Sequence, residues 1–154
     1  MIFESEKKSI RETVEEYKDS VEKLSAYLPW LYRKSGDTVM SGFKVEGMRG
    51  NFSIPTYDPT LLSLVKEIEK TGKINKNYEY SYIRHKIYTE EDEISHIRRA
   101  EIQNIDLIFD ILSKYVIRGR IKGSEWNKGV QNGVYLEAVK KLKELMELWK
   151  EPGQ

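Results

Sequence analysis

The chain has 154 residues, which suits one domain and is too short for two ordinary domains with separate cores. Lys and Arg total 26 against 25 Asp and Glu, and the resulting net charge of +1 excludes a simple polycation that coats nucleic acid. The lack of cysteine excludes a disulfide scaffold, a thiolate metal site and a cysteine nucleophile.

The first predicted element is a helix over residues 5–28. Its apolar residues recur at alternating spacings of 4 and 3 with Lys and Glu between them, which is typical of an amphipathic helix. Pro29 predicts the end of this helix, because the residue before a proline avoids the helical region. The heptad spacing also fits a coiled-coil dimer, but fewer than three heptads favour a helix that packs on its own core.

A change of composition after Trp30 predicts a small β-hairpin over residues 38–54. Phe43-Lys44-Val45-Glu46 alternates apolar and polar residues, Gly47-Met48-Arg49-Gly50 supplies turn residues, and Phe52-Ser53-Ile54 resumes the alternation. Because a two-stranded hairpin is marginally stable alone, we expect it to lie on the helices.

The rest of the chain, residues 59–150, predicts a helical core. Asp58 and Pro59 have the chemistry of an N-cap and a first helical residue, and Gly72 that of a left-handed cap. The tyrosine-rich stretch over residues 75–88 has an ambiguous period that suits a strand or a short helix, and we favour the helix. Thr89-Glu90-Glu91-Asp92 then predicts a capping box.

The stretch from Glu101 to Ile117 predicts the central helix, because its apolar residues, Leu112 among them, cover nearly the whole circumference. We expect Gly119 to end this helix, Ser124 to begin a short one, and a last helix to run from Val134 to about Lys150. The predicted fold is therefore mainly α, a single compact helical domain of five or so helices with a small β-hairpin after the first.

Two stretches of the sequence carry a resemblance to known proteins. One is Ile54-Pro55-Thr56-Tyr57-Asp58-Pro59, followed by the helix that ends at Gly72. The other is the run LSKYVIRGRIKG from Leu112 to Gly123, with Gly133 and the helix around Leu142 behind it. Together they resemble a family of uncharacterised bacterial and archaeal proteins, over roughly residues 28–145.

That family has a helix that ends in a hydrophobic–Arg–Gly–basic turn, then a second glycine, a short helix, another glycine and a closing leucine-rich helix. Here Ile121 stands where the family usually has an aromatic residue, and tyrosines at 78–82 replace its tryptophan-rich stretch. The resemblance implies a small helical cytoplasmic protein without an assigned activity.

The basic segment from Arg118 to Lys128 is the first candidate site, for an anion or a nucleic acid. Arginine binds phosphate or carboxylate bidentately, a helix N-terminus attracts anions, and an indole can stack on a base. The alternative is structural: the cations complement a helix end and the indole packs the short helix on the core. The candidate residues are Arg118, Arg120, Lys122, Trp126 and Lys128.

The second candidate site is a protein interface in the segment where aromatic residues alternate with bases. Tyrosine is common in interfaces because a large ring is ordered at low entropic cost. The same mixture suits single-stranded nucleic acid through stacking and phosphate contacts, and a half-buried structural segment is the remaining alternative. The candidate interface residues are Tyr78, Tyr80, Tyr82, Arg84 and Tyr88.

Signatures of metal binding and catalysis are missing from the sequence. His85 and His96 lack metal-ligand spacing, and a solvated helix start explains the acidic run from Glu90 to Glu93. No Ser-His-Asp order, P-loop or GxGxxG is present. We therefore expect no metal and no cofactor, and we favour a binding protein over an enzyme.

Three functions follow from these features. The first is a small binding or regulatory protein that acts through contacts with a protein partner, for example an inhibitor carried by a virus or a mobile element. The second is a nucleic-acid-binding module that uses Arg84, Lys86, Arg98, Arg99, Arg118, Arg120 and Lys122. The third, and least supported, is an enzyme that acts on an anionic small molecule.

The sequence predicts a cytoplasmic protein, as a monomer or a homodimer, without membrane contact. The segment from Met1 to Lys8 is charged within four residues and has no apolar signal core. No apolar run approaches the roughly 18 residues that span a bilayer.

Overall fold

The computed structural model describes residues 9–47 and 50–150, with residues 43–47 and 50–53 given by their backbone alone. The described residues form eight α-helices, one short 3-10 helix and one antiparallel hairpin, so the mainly α prediction is confirmed. The eight helices exceed the predicted five or so. The predicted charged start from Met1 to Lys8 and the turn residues Met48 and Arg49 lie outside the described residues.

The elements follow one another through short connections. The strands are β1 (Met40–Gly47) and β2 (Gly50–Tyr57), and a 3-10 turn (Ile102–Asn104) lies between α5 and α6. The helices are α1 (Ile10–Ser25), α2 (Leu28–Lys34), α3 (Pro59–Lys70), α4 (Tyr78–His85), α5 (Glu90–Arg99), α6 (Ile105–Ile121), α7 (Ser124–Gln131) and α8 (Val134–Leu148).

The helix predicted over residues 5–28 ends three residues earlier than expected, and a second helix follows it at once. Ser9 caps α1, because its side chain accepts a hydrogen bond from the Glu12 N–H at 3.1 Å. Pro29 was predicted to end the helix, but it lies in the first turn of α2, where its missing N–H removes no helical hydrogen bond.

The hairpin is confirmed, but it extends three residues beyond the predicted bounds of 38–54. Its register places Met40 opposite Tyr57 and Gly42 opposite Pro55. Proline is tolerated here because each strand of a two-stranded sheet is an edge strand.

Two backbone N–H groups donate hydrogen bonds at the base of the hairpin. The Val39 N–H donates to the Oδ1 atom of Asn127 at 2.7 Å, and the Asp58 N–H donates to the Val39 carbonyl at 2.8 Å. Asn127 lies on α7 and is itself buried. A single buried amide therefore joins the start of the hairpin to the helical core.

Local capping chemistry places the next helices as the sequence predicts. The Asp58 carboxylate accepts from the Thr60 N–H at 2.8 Å, and Gly72 has a φ of +71° just after α3. Thr89 and Asp92 form the reciprocal hydrogen bonds of a capping box at the start of α5. The tyrosine-rich stretch is helical over α4, as favoured.

Helix α6 is the central helix, as predicted. Ten of its residues are buried, among them Phe109, Leu112 and Tyr115. It contacts α3, α4, α5, α7 and α8, which enclose it on several sides. Helix α1 packs mainly against α8 and also contacts α3, so these helices complete the outer layer.

The prediction that Gly119 ends the central helix is wrong, because α6 continues to Ile121. A Cβ atom on Gly119 would overlap the indole of Trp126, which crosses α6 at this position. The indole N–H donates to the Val116 carbonyl at 3.1 Å, and its ring meets the Tyr57 ring edge-on. This glycine makes room for a side chain of α7 and does not terminate a helix.

We expect Gly119→Ala to destabilise the protein. Alanine raises helix propensity by about 1 kcal/mol, whereas displacing a packed indole costs about 1–3 kcal/mol, so the free energy of unfolding should fall by up to about 2 kcal/mol. Urea unfolding measures this change. The matched control is Ser95→Ala on the exposed part of α5, which we expect to be neutral or slightly stabilising. A Gly119→Ala variant as stable as that control would show that Trp126 shifts without cost.

Candidate binding surface

The residues of the basic segment have different partners in the structure. Arg120 forms an ion pair with Glu69 at 2.9 Å, and Lys128 forms one with Glu125 at 3.3 Å. Arg118 is exposed, and its Nε donates to the hydroxyl of Tyr78 at 3.3 Å.

The remaining two residues of the segment differ in their surroundings. Lys122 is exposed, whereas the Trp126 indole is held by Val116 and packed against Tyr57. An indole in this position is engaged in packing between α6 and α7, as the structural alternative proposed. The anion site formed by the whole segment stays a prediction.

The tyrosines of the second candidate site are divided between the two faces of α4. Tyr78 is buried and Tyr82 half-buried, and both rings face α6, since residues four apart lie on one side of a helix. Tyr80 is 69% exposed on the other side, and Tyr88 is 78% exposed in the loop that follows. Tyr78 and Tyr82 therefore pack inside the protein, whereas Tyr80 and Tyr88 are accessible to a binding partner.

A buried carboxylate lies behind α4. Glu93 of α5 is fully buried and accepts hydrogen bonds from the Tyr115 hydroxyl at 2.6 Å and from the Tyr82 hydroxyl. Its other partner is the Lys114 ammonium, at 2.9 Å. Asn132 donates to the Tyr115 hydroxyl at 2.8 Å and completes what we call the Glu93 cluster (Tyr82, Glu93, Lys114, Tyr115 and Asn132).

The electrostatics of the Glu93 cluster keep its phenols protonated. Burial, and then the charge of Glu93, raise the pKa of Tyr82 and of Tyr115. Both hydroxyls therefore remain hydrogen-bond donors to the carboxylate. Every member of the cluster has a partner, so it joins α4, α5 and α6 as a fixed scaffold.

Sequence reasoning missed this cluster because Glu93 was interpreted as part of a solvated helix start. A signal was available: Glu93 precedes Ile97 by four residues, so both lie on the buried face of α5.

A cleft of about 550 Å³ lies between α4 and α6. Tyr78, Tyr82 and Tyr88 line it, and the cations Lys114 and Arg118 reach it from α6. The structure thus brings together parts of both candidate sites, Arg118 from the basic segment and tyrosines from the interface segment. We call this the α4–α6 cleft.

A second cleft of about 530 Å³ lies on the other side of α4. Tyr80 and Arg84 line it, together with Asp106 and Asp110. Asp110 accepts a hydrogen bond from the Asn75 amide at 3.0 Å. Helix α4 therefore stands between two surface clefts.

The segment that contains α4 is rich in cations. Residues 73–88 contain two Lys before the helix, Arg84 and Lys86 at its end, and a single carboxylate, Glu79, which gives +3 from four cations and one anion. Within the part of the chain that the structure describes, Lys76, Arg84, Lys86 and Arg118 form no ion pair at 4.0 Å or less. Carboxylates line both clefts beside these cations, Glu79 and Glu90 in one and Asp106 and Asp110 in the other, so the surface around α4 is mixed in charge.

The two histidines lie side by side, with ring centroids 5.7 Å apart. Burial, then Arg99 and His85, lower the pKa of His96. Among the described residues, no group of three His, Cys, Asp or Glu side chains is arranged to hold a metal ion.

Comparison with models of protein families, with curated proteins and with solved structures finds no match for this chain. The resemblance described from the sequence therefore stays a prediction. None of the helices in residues 9–47 and 50–150 has the length and hydrophobicity needed to cross a membrane.

Proposed function

We propose that this protein is a binding protein that acts through contacts with a protein partner, and that its recognition surface is α4 with the loop after it. The observation that carries the proposal is the exposure of three large apolar or aromatic side chains on this element. Tyr80 and Ile83 are each 69% exposed, and Tyr88 is 78% exposed. We call these residues, with Arg84 and Lys86, the α4 surface.

The composition and rigidity of the α4 surface suit protein recognition. Tyrosine and arginine are the residues that most often dominate binding energy at interfaces. The opposite face of α4 is fixed by Tyr78 and by the hydrogen bond from Tyr82 to Glu93. A rigid element that presents aromatic side chains loses little entropy when a partner binds.

Nucleic-acid binding is the second candidate function, supported by Arg84 and Lys86 of the α4 surface, which form no ion pair with any of the described residues. Two observations count against it. Glu79 and Glu90 line the α4–α6 cleft and would repel a phosphate backbone. Arg120 and Lys128, which were expected to add to a basic patch, are paired with carboxylates.

The proposal is tested by affinity capture with three forms of the protein. We expect the wild type to retain a partner protein that the Tyr80→Ser/Tyr88→Ser variant loses, because these rings provide the contact area. The matched control is Tyr32→Ser, at a tyrosine that is 59% exposed on α2, and it should retain the partner. Quantitative mass spectrometry measures retention. Identical retention by all three forms would contradict the proposal.

A further inference from the structure

We infer that the protein binds a second copy of itself through the surface at the carboxyl end of α8. The two copies would be related by a two-fold axis, so that both use the same surface. This surface shares no residue with the α4 surface, so the inference goes beyond the proposed function.

Two surface clefts adjoin at the end of α8. The first, of about 380 Å³, lies between α1 and α8, and we call it the α1 cleft. The second, of about 620 Å³, lies between α8 and the segment from Ala100 to Gln103, and we call it the turn cleft. Glu147 and Trp149 line both clefts, which therefore form one continuous face.

Exposed apolar side chains mark this face. Leu148 is 71% exposed in the turn cleft. Ile10 and Trp149 are each 42% exposed in the α1 cleft, where Val14 and Met146 lie beside them. A partner that covers these side chains with apolar surface removes them from water, which favours association.

The two clefts have opposite net charge. Three cations and two carboxylates line the α1 cleft: Arg11, Lys18, Lys150, Glu15 and Glu147. One cation and three carboxylates line the turn cleft: Lys141, Glu101, Glu144 and Glu147. The lining of the α1 cleft is therefore positive, and that of the turn cleft is negative.

A second copy fits both clefts at once. A two-fold axis near Trp149 places the α1 cleft of each copy against the turn cleft of the other, so that opposite charges face each other twice. A basic or an acidic partner would be attracted by one cleft and repelled by the adjoining one. The change of sign across one face therefore favours an interface between copies of this chain.

Lys150 and Glu101 are the residues that this arrangement pairs across the interface. Both are exposed, and neither forms an ion pair with any described residue. The Gln103 amide donates a hydrogen bond to the Glu101 carboxylate at 3.0 Å. Most other charges of the face are paired within one copy, in the ion pairs Lys18–Glu15, Lys141–Glu144 and Lys143–Glu147.

Sedimentation velocity at protein concentrations of about 1–300 µM tests the inference. We expect the wild type to pass from monomer to dimer in this range, as is typical of a small interface. Leu148→Ser should raise the dissociation constant of the dimer at least about tenfold, because the lost apolar contact occurs twice. The matched control is Ile121→Ser, at a residue of α6 that is 91% exposed and outside both clefts, and it should dimerise like the wild type.

Charge reversal tests how the clefts are paired. Lys150→Glu and Glu101→Lys should each weaken the dimer on the order of tenfold, because each creates two like-charge contacts in a two-fold assembly. An equal mixture of the two single variants should associate again, because one then carries carboxylates at both positions and the other carries cations. Only a pair that forms between copies is restored in this way. Thermal unfolding checks that each variant is folded.

Three outcomes would overturn the inference. One is a wild type that stays monomeric up to about 300 µM. Another is a dimer that Leu148→Ser and Ile121→Ser weaken equally, or that the mixture of charge-reversed variants does not restore. The third is a monomeric wild type whose captured partner protein is lost in Leu148→Ser, which would assign this face to that partner. The proposed function is tested separately by the α4 variants, and a dimer that captures no partner would contradict that function alone.

Discussion

Replacing Lys114 with methionine is expected to lower the free energy of unfolding by about 3–5 kcal/mol, because it removes the counter-charge of a fully buried carboxylate. Methionine keeps most of the length and apolar contact of the lysine stem, so the loss of stability measures the effect of removing the charge. The hydroxyls of Tyr82 and Tyr115 still donate to Glu93 in the variant, which places the expected value at the lower end of the range. Urea denaturation measures it.

A second substitution separates the charge from the packing. In the Glu93→Gln/Lys114→Met double variant no charge is buried, so most of the lost stability should return. The surface control is Lys140→Met on α8, at an exposed lysine, where we expect a change within about 0.5 kcal/mol. A loss in Lys114→Met no larger than that control would mean that Glu93 does not need this lysine.

Leu112→Ala is expected to cost about 2–5 kcal/mol, because it opens a cavity in the middle of the core. Leu112 has no exposed surface and lies on the central helix α6. The same helix offers the control: Ile121 is 91% exposed, and Ile121→Ala should change stability by no more than about 0.5 kcal/mol. Chemical denaturation of both variants decides the matter. Equal losses at the two positions would contradict the burial of Leu112.

The parts of the fold that the sequence predicts correctly are those decided by neighbouring residues. The cap of Asp58 on α3 and the capping box of Thr89 and Asp92 each involve groups within four residues of one another. The central helix is recognisable because its apolar residues surround the axis. In these cases the residues that determine the element lie close together in the sequence.

The errors occur where a distant residue decides the outcome. Gly119 has the composition of a helix cap, but its role is set by the indole of Trp126 from the next helix. Pro29 predicts a helix end equally well as a helix start, and only the turn before it shows which applies.

The sequence names the residues of the candidate site, which stays a prediction, but does not indicate how they are arranged. Of the predicted interface residues, Tyr88 and Arg84 are exposed, whereas Tyr78 and Tyr82 turn inward. The basic segment and the tyrosine segment were treated as two sites, because Arg118 and Tyr78 are 40 residues apart in sequence. Their meeting at one cleft depends on how α4 packs on α6, which periodicity does not specify.

The packing of α1 against α8 has a consequence for how the chain acquires its structure during synthesis. Ser25 ends α1 and Val134 begins α8, so about 110 residues separate the two. At about 5–20 residues per second, a ribosome takes roughly 5–20 s to add them. The apolar stripe of α1, with Tyr17, Val21 and Leu24, has to wait that long for its partner. Helix α1 can contact α3 earlier, but its packing is complete only once α8 has been made, and until then part of its apolar stripe is accessible to chaperones.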